Sequence, residues 1–423
     1  MQVTGMCRRW MTVVVVALVV GSYASRAEAA IEIKSESGWS ASLDGFLNLF
    51  LVDTWGQGAP TAPNTGDVWS APTDNNVFRV RTGFLPSAFG FNASAPEWEG
   101  MKFKLRVGIY VQLNSINTRT TPTGDYRNTP TIDWREFNIT MDGKFGQVLV
   151  GRALNLYQAD AVLADISLFG VGIPGQVGGN VLGGWPTLGH IGFGYLYPAF
   201  GAQVRYTTPD LSGFKLAIEI GDPSKIAGPT PAATATITSL PDLEMTLSYS
   251  NKFDSVSLRA WLGGIFNRAW FANRVAGLLA PTGAVNGRGG SAGLGVGVSV
   301  LDLIASGFWA EGMGTFQQFD GGDSLDRTGA PVSSKGFLLQ ASAKIDKTKF
   351  GANYGQVMAD RTTDQNTTNT PVIERRQALT FGVYHDLNSW LKLVAEYSWY
   401  DLKWYGGASQ SGNVATVGGF FFW

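Results

Sequence analysis

The chain has 423 residues, of which only 15% are charged, and its 32 basic and 33 acidic side chains nearly cancel. This balance gives no basis for nucleic-acid binding or for attraction to an anionic surface. With one cysteine, Cys7, and two histidines, the sequence offers no disulfide framework, metal-ligand cluster or readable Ser/His/acid constellation. It therefore predicts neither a cofactor nor a metal site.

The first 29 residues predict a secretory signal peptide. A basic start at Arg8 and Arg9 precedes the apolar stretch WMTVVVVALVV, and small residues lead up to Ala29. This stretch is shorter than the roughly 20 residues that a membrane-spanning helix needs. We expect cleavage near Ala29, which would leave residues 30–423 as a single exported domain. No apolar run long enough for a membrane helix follows in that part of the sequence.

The segment from Met101 to Asn114, MKFKLRVGIYVQLN, alternates apolar and polar side chains along its whole length. Alternation with a period of two predicts a β-strand that has one apolar and one polar face. Strands of soluble proteins typically have about 5–6 residues, whereas a tilted strand that crosses a bilayer takes about 9–11. The segment therefore has the length of a membrane-spanning strand.

The same alternation recurs along the chain, and short turns rich in Asp, Asn and Gly alternate with long polar loops. Sixteen strands are predicted, centred near residues 47, 84, 107, 137, 150, 204, 217, 246, 261, 296, 308, 341, 354, 380, 395 and 418. A slip in the alternation near Pro86 predicts a bulge or kink in the second strand. The fold class is all-β, a 16-stranded antiparallel transmembrane barrel with short periplasmic turns and long external loops. A soluble sandwich would have shorter strands, and a solenoid would show a repeat of fixed period.

Residues 153–189 lack strand alternation. Loops longer than about 12–15 residues without regular structure are uncommon unless they are functional. This long loop contains Asp160 and Asp165, and its middle, from Ile166 to Ile173, is largely apolar. We expect it to fold into the barrel and narrow the pore; the alternative is an ordinary external lid.

The C-terminal stretch VATVGGFFFW predicts the last strand of the barrel. One face of this strand would carry Ala415, Val417, Gly419, Phe421 and Trp423. We expect the strand to pair with the first strand, which begins near Ala41, and so to close the barrel. Phe421 and Trp423 would then lie in the aromatic girdle at the membrane interface.

Three segments carry a resemblance to a known family: the first strand ASLDGFLNLFLVD, the unit WREFNITMDGKFGQVLVGRALN (Trp134 to Asn155) and the terminal aromatic strand. With them the chain resembles the trimeric general porins of the Gram-negative outer membrane. The resemblance implies an outer-membrane homotrimer in contact with lipopolysaccharide, a last strand read by the barrel-assembly machinery, and a third external loop that constricts the pore. The family's Pro-Glu-Phe-type motif at the loop tip is absent, and ADISLFGVGIPG stands in its place.

Strand parity predicts a basic wall on the polar face of the second to sixth strands, with one member assigned partly by the resemblance. Its members are Arg79, Arg81, Lys102, Lys104, Arg106, Arg152 and Arg205. Asp160 and Asp165 would face this wall across the pore, and opposed charges of this kind select ions and orient solutes. The predicted function is a water-filled channel for passive diffusion of small hydrophilic solutes and ions, with mild anion preference. The alternatives are a channel selective for a particular anionic or sugar solute and, less favoured, an outer-membrane barrel enzyme.

Overall fold

The computed structural model describes residues 31–57, 75–113, 131–175, 186–272, 281–319 and 323–423. The predicted signal peptide lies outside the described residues and stays a prediction. No helix in these ranges is long and apolar enough to cross a membrane.

Strands account for most of the described chain, and they are joined mainly by turns and loops. The strands are β1 Ile31–Lys34, β2 Ser40–Gly56, β3 Asn75–Arg81, β4 Ser87–Ser94, β5 Lys102–Gln112, β6 Thr131–Gly143, β7 Gly146–Leu154, β8 Phe200–Thr207, β9 Phe214–Gly221, β10 Ala235–Thr238, β11 Asp242–Phe253, β12 Val256–Phe271, β13 Ala284–Val298, β14 Leu301–Glu311, β15 Ser333–Ile345, β16 Thr348–Asp360, β17 Ile373–Asp386, β18 Leu391–Trp404 and β19 Ser409–Phe422. The helices are α1 Ala159–Ala164 and α2 Thr363–Thr367, and 3₁₀ turns span Ile166–Phe169 and Pro231–Ala233.

The strands form one closed antiparallel barrel, because β19 pairs with β2 and brings Val417 opposite Leu51. β3 and β4 pair with successive halves of β2 and together make one interrupted strand. β1 pairs with the start of β2, and β10 with the end of β12, so both are additions to the barrel edge. The remaining strands give the predicted count of sixteen, and the predicted break near Pro86 is the gap between β3 and β4.

The outward face of the barrel is apolar. Large side chains that are 39–59% exposed recur at every second position, for example Leu47, Leu49, Leu51, Phe78, Ile218, Ile220, Leu301, Leu303, Phe381, Leu393, Val417 and Phe421. Charged and polar residues occupy the alternate positions on most strands. Apolar side chains outside and polar ones inside are the arrangement that a membrane-embedded barrel requires.

The long loop follows β7, and its described apolar residues are buried. Ile166, Leu168 and Val171 belong to one hydrophobic cluster with strand residues such as Leu338 of β15 and Phe420 of β19. The burial of these side chains explains why an external loop segment could be so apolar, since the loop packs against the wall instead of facing water.

Candidate functional site

The candidate site consists of the polar face of the barrel wall and the long loop that contacts it. On β5, Lys102, Lys104 and Arg106 alternate with Phe103 and Leu105, and so share the polar face as predicted. Lys102 and Lys104 are exposed, and their strand partners across the ladder to β6 are Asp142 and Thr140. These two lysines are exposed on the polar face of the strand.

Arg106 is the centre of a charge network on the wall. Its Nη1 donates to Asp44 Oδ2 at 2.7 Å and its Nε to Glu136 Oε2 at 3.2 Å. Nη1 also donates to Asn92 Oδ1 at 3.1 Å, and the hydroxyl of Tyr110 donates to the same Glu136 oxygen at 3.1 Å. Arg106 therefore belongs to the polar face as predicted, but two carboxylates offset its charge.

Arg135 is a wall residue that the sequence reasoning missed. The β5–β6 register shifts so that Gly108 pairs with Glu136 while Ile109 pairs with Trp134, which leaves Arg135 as the extra residue of a β-bulge. Its side chain is largely buried and donates to Asp133 Oδ2 at 2.7 Å.

The guanidinium of Arg135 lies between two aromatic rings, 5.2 Å from the centroid of Tyr110 and 5.3 Å from that of Phe200. The sequence carried a signal for the bulge, because the outward apolar residues change from even positions, Ile132 and Trp134, to odd positions from Phe137 onward.

Arg79 and Arg81 of β3 alternate with the exposed Phe78 and Val80 and so lie on the opposite face of the strand from them. Arg81 is buried, and its Nη1 donates to the carbonyl of Pro174 in the long loop at 2.6 Å. It thus holds the loop in place and does not present its charge to the channel.

Arg205 and two glutamates hold the start of the long loop. Arg205 Nη2 donates to the carbonyl of Leu154 at 2.5 Å and lies 3.4 Å from Glu219 through its Nε. Glu244, which pairs directly with Glu219 across the strands, accepts a hydrogen bond from Tyr157 N at 2.6 Å. Burial raises the pKa of the Tyr157 hydroxyl, because the phenolate would be poorly solvated. These wall charges contact the loop backbone and each other.

Asp165 does not face the basic wall, contrary to the prediction. Only 1% of its surface is exposed, and its carboxylate accepts five hydrogen bonds. The donors are Ser167 N, Ser167 Oγ, His190 N, Tyr195 OH and Asn353 Nδ2. The prediction was wrong because these donors satisfy a buried carboxylate better than a distant cation could. Asp165 organises the loop and ties it to β16.

Four more hydrogen bonds, made by two strand residues, tie the loop to distant strands. Gln340 of β15 accepts from Ile166 N at 2.6 Å and donates to the carbonyl of Ala164 at 2.9 Å. Glu396 of β18 accepts from Val171 N at 2.7 Å and Gly172 N at 2.9 Å. The loop begins after β7, and these hydrogen bonds join it to β15 and β18 on another part of the wall.

Asp160, in the first turn of α1, is half-buried. Burial raises the pKa of its carboxyl to about 6, and the positive charge of Arg259 opposes this rise. Arg259 lies on β12, so Asp160 has an electrostatic partner outside the predicted basic wall.

His190, near the end of the loop, is buried, and its pKa is lowered because desolvation disfavours the imidazolium.

Arg152 faces outward, contrary to the prediction. It pairs with Phe137 and alternates with Gly151, so it shares a face with Phe137 and Val150, which are 56% and 52% exposed. Its Nε donates to the carbonyl of Trp134 at 2.9 Å. The resemblance had suggested a pore position for Arg152. Val148 and Val150 occupy alternate positions of the same strand, and their apolar side chains already indicated that Arg152 lies on the apolar face.

Within the ranges that the structure covers, no cluster of His, Cys, Asp or Glu could hold a metal ion.

A closed sixteen-stranded barrel with an apolar exterior and a charged interior defines an outer-membrane β-barrel channel. The chain belongs to the Gram-negative porin family, whose model matches residues 12–403. Among curated proteins, no sequence matches this chain.

Solved structures with the same fold are outer-membrane proteins, and their sequence identity to this chain is low. The outer membrane channel DcaP of Acinetobacter baumannii has a TM-score of 0.64 at 15% identity, over 92% of this chain and 99% of that chain. An anion-selective porin from Comamonas acidovorans has a TM-score of 0.59 at 15% identity, over 91% and 100%. The trimer form of OmpT, an outer membrane protein of Vibrio cholerae, has a TM-score of 0.50 at 15% identity, over 91% and 99%.

Proposed function

We propose that residues 30–423 form a passive diffusion channel for small hydrophilic solutes and ions, narrowed by the long loop inside the lumen. The observation that carries this proposal is the set of bonds from the loop to inward positions of distant strands. Asn353 lies between the outward positions Ala352 and Tyr354, and Glu396 between Ala395 and Tyr397. Side chains at those positions can reach the loop from the inner side of the wall.

We propose a mild anion preference, because two lysines of the wall remain exposed while three acids of the wall and loop are bonded to buried groups. Glu244, Glu396 and Asp165 accept hydrogen bonds from buried groups. Lys102 and Lys104 remain exposed on the polar face. One of the structural neighbours is an anion-selective porin, which supports this proposal.

Reversal potentials in planar bilayers across a salt gradient test this preference. We expect the double variant Lys102→Gln/Lys104→Gln to shift the reversal potential toward cations at low salt, and the shift to fade as salt rises, because charges are screened within about 8 Å at physiological ionic strength. Arg152→Gln removes an outward charge and serves as the matched control. A wild-type channel that already prefers cations would contradict the proposal.

A second candidate is a channel selective for an anionic solute with an apolar ring. Arg135 between Tyr110 and Phe200 supplies a cation beside aromatic faces, a combination that can bind carboxylates and rings. In that case benzoate would block the ion current at concentrations where acetate does not. Equal effects of the two anions would favour unselective diffusion.

We also propose a homotrimer, assembled through the apolar outward faces of the early strands, such as Leu47 and Leu49 of β2. OmpT of Vibrio cholerae has a trimer form, which supports this proposal. Native mass spectrometry in mild detergent should show three chains, and a monomer alone would contradict the proposed trimer.

The family and the fold support a channel without catalytic activity, in contact with lipopolysaccharide and assembled by the barrel-assembly machinery.

A further inference from the structure

A carboxylate lies on the outward, apolar face of the first barrel strand. Asp53 of β2 alternates with Val52 and Thr54, which are fully buried, and so it faces outward. Its ladder partners on the two neighbouring strands are Ala415 and Phe78, and Phe78 is 59% exposed. The charge of Asp53 is therefore surrounded by apolar side chains.

A guanidinium lies in the same kind of environment on β7. The ladder partners of Arg152 are Phe137 and Ala202, both exposed on the outward face, and Val150 next to it on that face is also exposed. The hydrogen bond from Arg152 Nε to the carbonyl of Trp134, at 2.9 Å, uses a neutral acceptor. It satisfies a donor of Arg152 but does not neutralise its charge.

The two charges lack a counter-ion within the described residues. No ion pair there includes Asp53 or Arg152, whereas Arg375 and Asp401 on the outward face of β17 and β18 are paired at 3.3 Å. Asp53 and Arg152 of one chain cannot pair with each other. Four strand steps, through β4, β5 and β6, separate β2 from β7, which is about 19 Å at the spacing of paired strands. A lone charge on a lipid-facing surface is unfavourable.

The two charges lie at matching depths in the barrel. Asp53 comes six residues after Leu47, which pairs with Phe421, an exposed aromatic residue at the end of β19. Arg152 comes six residues after the start of β7, and the turn before that strand carries the exposed Phe145. Six residues of a strand tilted by about 40° rise about 15 Å. Both charges are therefore about 15 Å above outward aromatic residues at the same end of the barrel.

We propose that Asp53 of one protomer forms an ion pair with Arg152 of its partner, at each contact between neighbours in a ring of three chains. Opposite charge, equal depth and apolar surroundings make a second copy of this chain the partner that fits each residue. The contact joins two different patches, the β2 side of one protomer and the β7 side of the next, and contacts of this heterologous kind can close into a ring. The inference rests on the proposed homotrimer and not on the proposed ion preference.

Charge reversal, read out by native mass spectrometry of the folded barrel in mild detergent, tests this pair. Asp53→Arg and Arg152→Asp each place like charges at every contact, which is strongly unfavourable. We expect each variant to lose the trimer at protein concentrations where the wild type is trimeric. Asp53→Arg/Arg152→Asp restores opposite charges and should recover the trimer. Arg288→Asp reverses a half-exposed charge on β13 and is the matched control, which should stay trimeric.

Cross-linking decides the question if the charge reversals do not fold. The one cysteine of the sequence, Cys7, lies in the predicted signal peptide, so Asp53→Cys/Arg152→Cys places a single pair of thiols in residues 30–423. A short bismaleimide should join these chains into covalent trimers, whereas Asp53→Cys alone and Arg152→Cys alone should not be joined.

The outcomes separate this inference from the proposed homotrimer. Trimers that survive both single reversals, a double reversal no better than the single ones, or a trimeric double cysteine variant without cross-links would overturn the ion pair and leave the trimer standing. Loss of the trimer in Arg288→Asp as well would show a general effect of charge reversal and would also overturn the ion pair. A monomeric wild type would overturn the trimer and the ion pair together.

Discussion

Two parts of the barrel wall differ in the side chains that they carry at inward positions. On β5, the inward positions carry Lys102, Lys104 and Arg106, and the rule of polar inside and apolar outside holds. On β17 to β19, inward positions also carry buried apolar side chains such as Tyr384 and Phe420. The long loop covers this second part and belongs to the same hydrophobic cluster. Buried apolar residues at the alternate positions of these strands therefore mark the surface that contacts the loop, as the proposed inward position of the loop requires.

The last strand shows both environments side by side. Phe421 faces outward, half exposed, with its ring centroid 5.5 Å from that of Trp390. Phe420 and Phe422 point to the other side, and their ring centroids lie 5.5 Å and 6.3 Å from that of Phe169 in the long loop. The aromatic residues at the end of the sequence thus face the membrane on one side of the strand and contact the loop on the other.

The strongest test of this two-sided strand is to delete residues 421–423. Trp423 and Gly45 exchange two backbone hydrogen bonds, of 3.0 Å and 2.9 Å, at the closure of the barrel. We expect the truncated chain to fail to assemble, which gel mobility before and after heating would show as a loss of the heat-modifiable form. Phe421→Leu keeps the backbone and should assemble. Normal yields of folded barrel from the truncated chain would contradict this expectation.

A smaller effect is expected from Glu396→Ala, which affects only the covered part of the wall. The substitution leaves the buried N–H groups of Val171 and Gly172 without their acceptor, at a cost of about 1–3 kcal/mol for each unsatisfied group. We expect a lower unfolding temperature and a larger, noisier single-channel conductance, because the loop is released from β18.

Glu396→Gln keeps one acceptor oxygen and is the matched control, with an effect that we expect to be smaller. If Glu396→Ala conducts and unfolds like the wild type, the loop does not depend on this contact.

The uncovered part of the wall is tested by comparing Arg106→Ser with Arg152→Ser. Arg106→Ser leaves Asp44 and Glu136 without their shared cation and should move ion selectivity toward cations. The shift should be of order 1 kcal/mol in ion partition at high effective dielectric. Arg152→Ser should leave the reversal potential unchanged, because the side chain faces outward. The reverse ranking of the two variants would show that their orientations are misassigned.

The smallest expected effect is a pH dependence from Asp160. Because its pKa is raised to about 6 in the folded protein, this carboxyl is protonated at pH 5 and ionised at pH 7. The contribution to stability is greatest at low pH and is lost as the pH rises through about 6, since folding favours the protonated form. Ionisation also adds a negative charge near Arg259, so anion preference should weaken slightly between pH 5 and 7. Asp160→Asn should abolish this change in reversal potential, and an unaltered pH dependence in that variant would assign it to another group.

The sequence was sufficient for the strand count, the break at Pro86 and the closure by β19, because each depends on local alternation of apolar and polar residues. It was insufficient to predict the surroundings of Asp165, because its partner Asn353 is 188 positions away. Nothing in the local sequence of either residue indicates that the two are in contact. Arg135 was predictable in principle from the parity change after Trp134. Arg152 was misplaced because a family resemblance was preferred to the valines beside it.

The break between β3 and β4 has a consequence for folding. Phe84 N donates to the carbonyl of Gly170 at 2.8 Å, so the interrupted strand holds the loop from an early part of the chain. Val171 is held by Glu396, 225 positions later. The loop can dock fully only after the last strands have joined the first, and contacts between such distant positions form slowly. Until then its apolar residues have no wall to cover them, so an incompletely closed barrel should depend on chaperones and be the form most prone to aggregation.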